Sequence, residues 1–494
     1  MATITAKIKQ SLRINSPHFQ NFIMGCLLFC LPGIYGAITG LGAGGGKPSS
    51  QSTSSDANSI LYGAFTLFGW LGGSILNILK PRLTVMFGAI GYPLYVGGLW
   101  YFDRTGNSWF VLFAGAMLGM TAGCLWTATG WVSYVYPEEK EKGTFIVVQY
   151  MLHSLGSTVA AFIAFGVNKN EIKAQGVSDG IYITFIVIMC SSIIIGGLFV
   201  VDPRKVVRND GTHIAIFQQA AILPELKAML TVFIDPRILL LTPAIFVGEM
   251  ATAMISSINS YYFNLRTRCL NNVIFQIIQI LIPLILSFIL DSKYVQRRRT
   301  RGIIGVAFIG TITLCSCAGL AAFIKENNIN QRLYKARGHD WTDSAFAKCF
   351  VIYLFFGMLY SGLQIVIEWI LAALTNDPAV LARYAGLFKG TGSLGICVSF
   401  LLDSRKVPYI WQLTVQFILY AIGLTGMLIV VLFYVTDTNY FIEETVIVPH
   451  IIEQQAKLEG LATEEQINHE FEKERRAEEL AAGAGGNIPE ITAV

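Results

Sequence analysis

Charge is scarce in this chain. Asp, Glu, Lys and Arg make up 14% of its 494 residues, where soluble domains carry about 25%. That excludes an ordinary soluble domain. Enzyme motifs are missing too: there is no GxSxG, no HExxH and no clustered Cys/His set, so neither catalysis nor a metal or other cofactor is expected. The Gly/Ser-rich stretch 40–58 has the glycines of a phosphate loop, but Pro48 follows Lys47 and GxxxxGK[ST] is absent; it reads as a flexible loop. The nine cysteines include no paired CxxC motifs, which speaks against zinc. Most sit in apolar runs, where a thiol packs as a small hydrophobe. No usable glycosylation sequon occurs, since Asn15 is followed by Ser16 and Pro17. A cleavable signal pattern is also lacking: residues 1–17 are polar and the first apolar run continues past Leu41, so that run is expected to stay as a signal anchor.

What is abundant is apolar sequence, 53% of the chain. Twelve apolar runs cover residues 18–41, 57–79, 83–101, 108–135, 143–167 and 179–200, then 238–263, 270–290, 302–323, 347–373, 380–402 and 408–434. Crossing the hydrocarbon core takes roughly 20 residues, and backbone groups in lipid must be satisfied within the segment. The expected fold is an all-α membrane protein with twelve transmembrane helices in two six-helix halves, residues 18–200 and 237–434. A polar loop (201–236) joins the halves. Residues 1–17 precede them, and an acidic tail (435–494) follows, with a polar helix over 464–480 and disorder after it.

Lys and Arg are more numerous in the loops that share a side with the N-terminus, which predicts that both termini face the cytosol. The basic excess thus sets orientation; the expected partner is the lipid bilayer, not nucleic acid. Two short repeats link each half to the other. Ser154-Leu155-Gly156 in the fifth span matches Ser393-Leu394-Gly395 in the eleventh, and Gly119-Met120 in the fourth matches Gly357-Met358 in the tenth. Parallel six-helix halves are the plan of the major facilitator superfamily.

Four stretches resemble the uncoordinated-93-like family, a branch of that superfamily. They are GAFTLFGWLGGSILNILKPRLTVMFGAIGYPLYVGGLW (63–100), AGCLWTATGWVSYVYPEEKEKGTF (122–145), LDSKYVQRRRTRG (290–302) and RYAGLFKGTGSLG (383–395). The likeness runs over about residues 18–434 and leaves out the tail. It implies the superfamily fold and one of two activities: a transporter, or a non-transporting regulator or trafficking partner of a channel or receptor. The superfamily's signature loop after the second span carries Gly-x-x-x-Asp-Arg. Here Lys80-Pro81-Arg82 stands without an acid, while the second-half loop has Asp291 with Arg297, Arg298 and Arg299. The resemblance implies that these residues latch the helices on the cytosolic side.

Charge inside hydrocarbon costs roughly 2.5–3.5 kcal/mol on insertion scales, so ionisable residues within spans are candidates for function. Glu249, Glu368, Lys389 and Lys348 qualify, but Lys348 lies at a span end and can snorkel. At ~1.5 Å per residue, Glu249 and Lys389 lie ~16 and ~14 Å from the inner ends of their spans, and Glu368 ~8 Å. Lys389 is therefore expected to be neutralised by Glu249 or Glu368. A structural ion pair, a proton or cation relay and a substrate contact all fit that arrangement. His153, near the midplane, can titrate near neutral pH; it shares a helix face with Gln149, and the alternative is a hydrogen-bonded helix contact. By analogy with the superfamily, Trp126, Thr127, Thr129, Asn259 and Gln364 line a central cavity, or they join helices. The glycines at 69, 72, 73, 115, 119 and 123 are expected at close helix crossings. The expected function is movement of a small solute or ion by alternating access; the alternative is the regulator.

Overall fold

The computed structural model describes residues 13–36, 51–168, 179–217, 221–333, 337–344, 346–460 and 462–483. The start of the chain, most of the Gly/Ser-rich loop and the Gly-rich end of the tail lie outside the described residues. Ser16 accepts from Phe19 N–H at 3.1 Å and Pro17 takes the first turn, which starts α1 (Pro17–Leu28). Pro32 has no N–H to give, and α1 runs on through a π-turn at Phe29–Gly33. The first half continues with α2 (Gln51–Thr105), α3 (Trp109–Val135), α4 (Lys142–Asn168) and α5 (Asp179–Phe199). The second half holds α7 (Pro236–Tyr262), α8 (Leu265–Leu290), α9 (Arg298–Glu326), α10 (Phe346–Ala373), α11 (Pro378–Ser404) and α12 (Tyr409–Phe433). Between the halves lies α6 (Ile222–Val232), and the tail forms α13 (His450–Leu458) and α14 (Glu464–Gly483). Neither α6 nor α13 was expected, because both are far shorter than a span and lie in stretches that are polar overall.

Among the described residues, eleven helices are long and apolar enough to cross a membrane. They make twelve passes, because α2 is two helices. Lys80 inside it has φ 62° and ψ 164°; Pro81 excludes the helical region for the residue before it. The chain doubles back there. Asn58 and Tyr95, which a straight helix would hold ~55 Å apart, share a hydrogen bond of 3.1 Å. Lys80 stands 3.7 Å from Asp202, just beyond α5, on the face that also carries Ser16 and the tail, called here the terminal face. Arg104 pairs with Asp179 on the opposite face. Leu198, Phe288 and Leu314 are among many apolar side chains exposed on the outside of the bundle, where acyl chains cover them.

The two halves meet along α2 with α11 and α4 with α8. Counted as passes, these are two with eleven and five with eight, and a six-place shift turns one seam into the other. The short repeats fall on equivalent crossings. A Cβ on Gly156 would lie 2.3 Å from the Phe29 carbonyl oxygen, where the fifth span crosses the first; one on Gly395 would lie 1.8 Å from that of Phe246, where the eleventh crosses the seventh. Gly119 likewise meets Leu61, the fourth span against the second, and Gly357 meets Ile278, the tenth against the eighth. The duplicated glycines thus mark equivalent helix crossings, against backbone at Gly119, Gly156 and Gly395 and against side chains at Gly357. Gly395→Val is expected to force α7 and α11 apart at a cost of about 1–3 kcal/mol or more, read as a lower melting temperature of the detergent-purified protein. Val in place of Gly63, where a Cβ meets open space, serves as the neutral control.

Candidate functional site

Lys389 comes off the middle of α11 and reaches toward the terminal face. Its ammonium donates to Glu368 of α10 at 2.9 Å and lies 4.6 Å from the ring centre of Trp126. Of the two carboxylates expected as its partner, Glu368 takes it. Glu249 stands apart: it accepts from Tyr360 at 3.3 Å and Gln364 at 3.1 Å. Among the described residues no basic side chain comes within 4.0 Å of Glu249. Glu249, Lys389, Trp126 and His153 line a cavity of about 280 Å³. The cavity lies on one side only. Along α7 its walls start at Glu249 and continue to Ser260, near the helix end; along α11 they start at Lys389 and continue to Asp403. Toward the terminal face the bundle is packed.

The other expected residues divide. His153 lines the cavity, with Trp126 edge-on at 5.1 Å, and its Nδ1 has no hydrogen-bond partner among the described residues. Gln364 sits behind the floor, tied to Glu249. Gln149 faces away, donating to Asn21 at 2.7 Å and to the Thr129 carbonyl at 2.9 Å, so it joins α4 to α1 and α3. Asn259 accepts from Asn271 at 2.8 Å and joins α7 to α8; it does not line the cavity. Thr127 and Thr129 bond carbonyls of their own helix. Lys348 snorkels to Glu326 at 2.9 Å.

Beneath the cavity the halves are joined by polar bonds. Asp291, at the end of α8, accepts from Gly143 N–H at 3.0 Å and from the Thr144 hydroxyl at 2.7 Å, capping the start of α4. Burial pushes its carboxyl above the usual range even so. Lys142 is 1% exposed and donates to the carbonyls of Ala372 (2.5 Å) and Thr375 (3.1 Å) and to Asn376 Oδ1 (2.6 Å). The Asn376 amide donates in turn to Glu139 at 2.7 Å, and buried Arg298 stands 3.3 Å from the same carboxylate. Arg297 and Arg299 are exposed at the head of α9, and Arg82 is exposed beyond Lys80.

The acid that meets Lys80 in space is Asp202, at 3.7 Å; a second acid joins the halves nearby. Glu225 of α6 accepts from Asn77 of α2 at 2.8 Å and takes both nitrogens of Arg383 of α11 at 2.8 Å, bridging the second seam. Burial raises its pKa, but the bonds from Arg383 and Asn77 outweigh that and hold it below the usual range. A depressed carboxylate pKa adds stability above the unfolded value of ~4.3 and loses it as pH falls through the folded value. Glu225→Gln is therefore expected to lower stability by about 1–2 kcal/mol at neutral pH. The gap to wild type should narrow below pH ~4.3, as measured by melting temperature against pH.

Sequence reasoning named Asp291, Arg298 and Lys80 for the latch but missed Lys142, Glu139, Asn376 and Glu225. Lys142 and Glu139 read as ordinary loop charges, and Glu225 sat in a loop with no visible partner. The run of tyrosines on the cavity wall was also missed. Its signal was present, since Tyr62, Tyr92, Tyr150, Tyr353 and Tyr360 all fall inside apolar runs.

The family profile described as ion channel regulatory protein UNC-93 matches residues 53–430. The chain belongs to the UNC-93 family. An uncharacterised membrane protein of Schizosaccharomyces pombe is 40% identical over 426 residues, covering 86% of both chains. UNC93-like protein 1 of Arabidopsis thaliana is 33% identical, covering 86% of this chain and 92% of its own. Among solved structures, the major facilitator superfamily transporter FucP of E. coli, in its outward conformation, superimposes with a TM-score of 0.57 at 13% identity, covering 83% of this chain and 98% of FucP. The superfamily fold follows, and with it a multi-pass integral membrane protein of transporter-like or regulatory kind.

Proposed function

We propose that this UNC-93 family member moves a small solute or ion by alternating access. Its site has Glu249, Tyr360, Trp126 and the Lys389–Glu368 pair as floor, with Gln364 behind. The observation that carries this is the one-sided cavity. It runs from mid-bundle to one face, while Lys142, Asp291 and Glu225 join the halves on the other. Those are the parts that a two-state carrier needs, because every bond of the seal can be exchanged for water when the halves rock. With both termini in the cytosol, as the basic loops favour, this is the outward-facing form, and Lys142, Asp291, Arg298, Lys80 and Glu225 belong to the cytosolic gate.

The family description favours a second reading, in which the same two states are used to hold or release a channel instead of carrying cargo. Purified protein in proteoliposomes separates them. A carrier gives flux of a cationic tracer that Glu249→Gln reduces; a regulator gives no flux alone, and alters the current of a co-reconstituted channel. Absence of flux together with a Glu249-independent effect on current would decide for the regulator.

A further inference from the structure

The cavity's chemistry narrows what it holds. Its formal charge is negative. Lys389 is spent on Glu368, which leaves Glu249 on the floor and Asp403 nearer the mouth, the latter bonded by the Ser257 hydroxyl at 2.5 Å. Six aromatic side chains line it, Tyr62, Tyr150, Tyr360, Trp126, Phe65 and Phe275, alongside hydroxyl and amide groups such as Ser256, Ser393 and Gln276. Tyr360 stacks near Phe275 with ring centres 6.4 Å apart, and Tyr62 stacks on Phe400 at 5.8 Å, so rings from both halves meet over the site. A carboxylate at the end of an aromatic box suits a cation that is poorly hydrated, because ring faces attract charge but cannot replace a full shell of water oxygens. Bare metal ions want several oxygen or nitrogen ligands at once; among the described residues no group of three His, Cys, Asp or Glu is placed for one. The volume, about 280 Å³, is just under the ~300–1,000 Å³ of sites for drug-sized ligands.

From these three observations we propose that the cavity binds a small organic monocation, an ammonium head on a short apolar or aromatic body, with the head at Glu249 and the body against the tyrosines. The assignment rests on reading the cavity as a solute site. The head exchanges its water for Glu249 and the ring faces, and Asp403 raises the local concentration of cations at the mouth.

Binding to full-length protein in lipid nanodiscs tests this, followed by Trp fluorescence and by melting temperature. The probes are phenethylammonium, its neutral isostere phenylethanol, tetramethylammonium and potassium chloride. Phenethylammonium is expected to bind at least about tenfold more tightly than phenylethanol, and Glu249→Gln to remove about tenfold of that affinity. Glu249→Gln keeps the side-chain shape; Tyr360→Leu, which removes a ring from the wall, is a second variant expected to lose about threefold to tenfold of the amine affinity. Equal binding of amine and alcohol, or binding of neither ammonium probe by a folded protein, overturns the proposal. So does Glu249-dependent saturation by potassium alone, though that result leaves the solute-site reading standing. The solute-site reading itself fails separately, if a cysteine at Ala385 in the seal never becomes reactive under any probe.

Discussion

Lys389→Ala is expected to destabilise the protein by about 3–5 kcal/mol, because it strands the Glu368 carboxylate, 5% exposed, in the middle of the bundle. In the wild type the two side chains meet at 2.9 Å, and the lysine also lies over Trp126 and Phe388 at 4.6 and 4.5 Å. Removing both charges is a different experiment. Lys389→Met with Glu368→Leu leaves no orphan, and replacing a buried pair by apolar groups of similar volume is often neutral or stabilising. The expected order of melting temperatures is therefore double variant near wild type, Lys389→Ala far below. This order decides among the roles left open by the sequence. If the double variant is stable and still binds the amine, the pair is structural, and its work is to keep Lys389 from neutralising Glu249. If the double variant is stable but flux is lost while binding survives, the pair relays charge. A single variant as stable as wild type would mean that water reaches Glu368, and the buried-pair account would be wrong.

That the sequence named this pair at all follows from cost. An ion in an apolar run has no bland explanation, so Glu249, Glu368 and Lys389 stood out. Which acid takes the lysine was not legible, because ~6 Å of difference in depth is within the reach of a lysine stem. The helix count was legible from run length, which separates the second and third spans on either side of Lys80-Pro81-Arg82. The duplicated glycines were visible as weak repeats; their reason, equivalent helix crossings in each half, needed coordinates. Neutral polar residues were the least legible. Asn259 and Gln149 carry the same groups whether they face a cavity or join helices, and periodicity does not distinguish the two. The rest of the seal was hidden for another reason: beyond Asp291 and Arg298, its members come from 139–142, 225 and 376, loop or helix-end positions where charge is ordinary. Only the fold brings them together, and nothing near the second span hinted that α6 would supply an acid there.

The second large effect concerns that seal. Lys142 donates to three acceptors in the other half, one on the last turn of α10 and two on the connection to α11, and it is as deeply buried as Arg298 beside it. Bonds to charged groups contribute about 1.5–3 kcal/mol each, but the acceptors regain water once the halves part, so the net loss on removing the ammonium is nearer one such bond than three. Lys142→Met keeps the stem and deletes the charge. It is expected to shift the balance toward the form open at the terminal face by about tenfold to a hundredfold, since 1.4 kcal/mol is a factor of ten. The overall melting temperature should change less, because the variant also relieves the burial of a charge. A cysteine at Ala385, 1% exposed and packed where α3 meets α11, reports the opening: its labelling by a membrane-impermeant maleimide should rise in step with the shift. Asn376→Ala should act in the same direction, because Asn376 links Lys142 to Glu139. Combining the two should add little, since both cut one chain of bonds. If Ala385→Cys stays unreactive in Lys142→Met while the protein remains folded and monodisperse, the bonds of Lys142 are incidental to packing, and the closed face is held by the glycine seam of α2 and α11 instead.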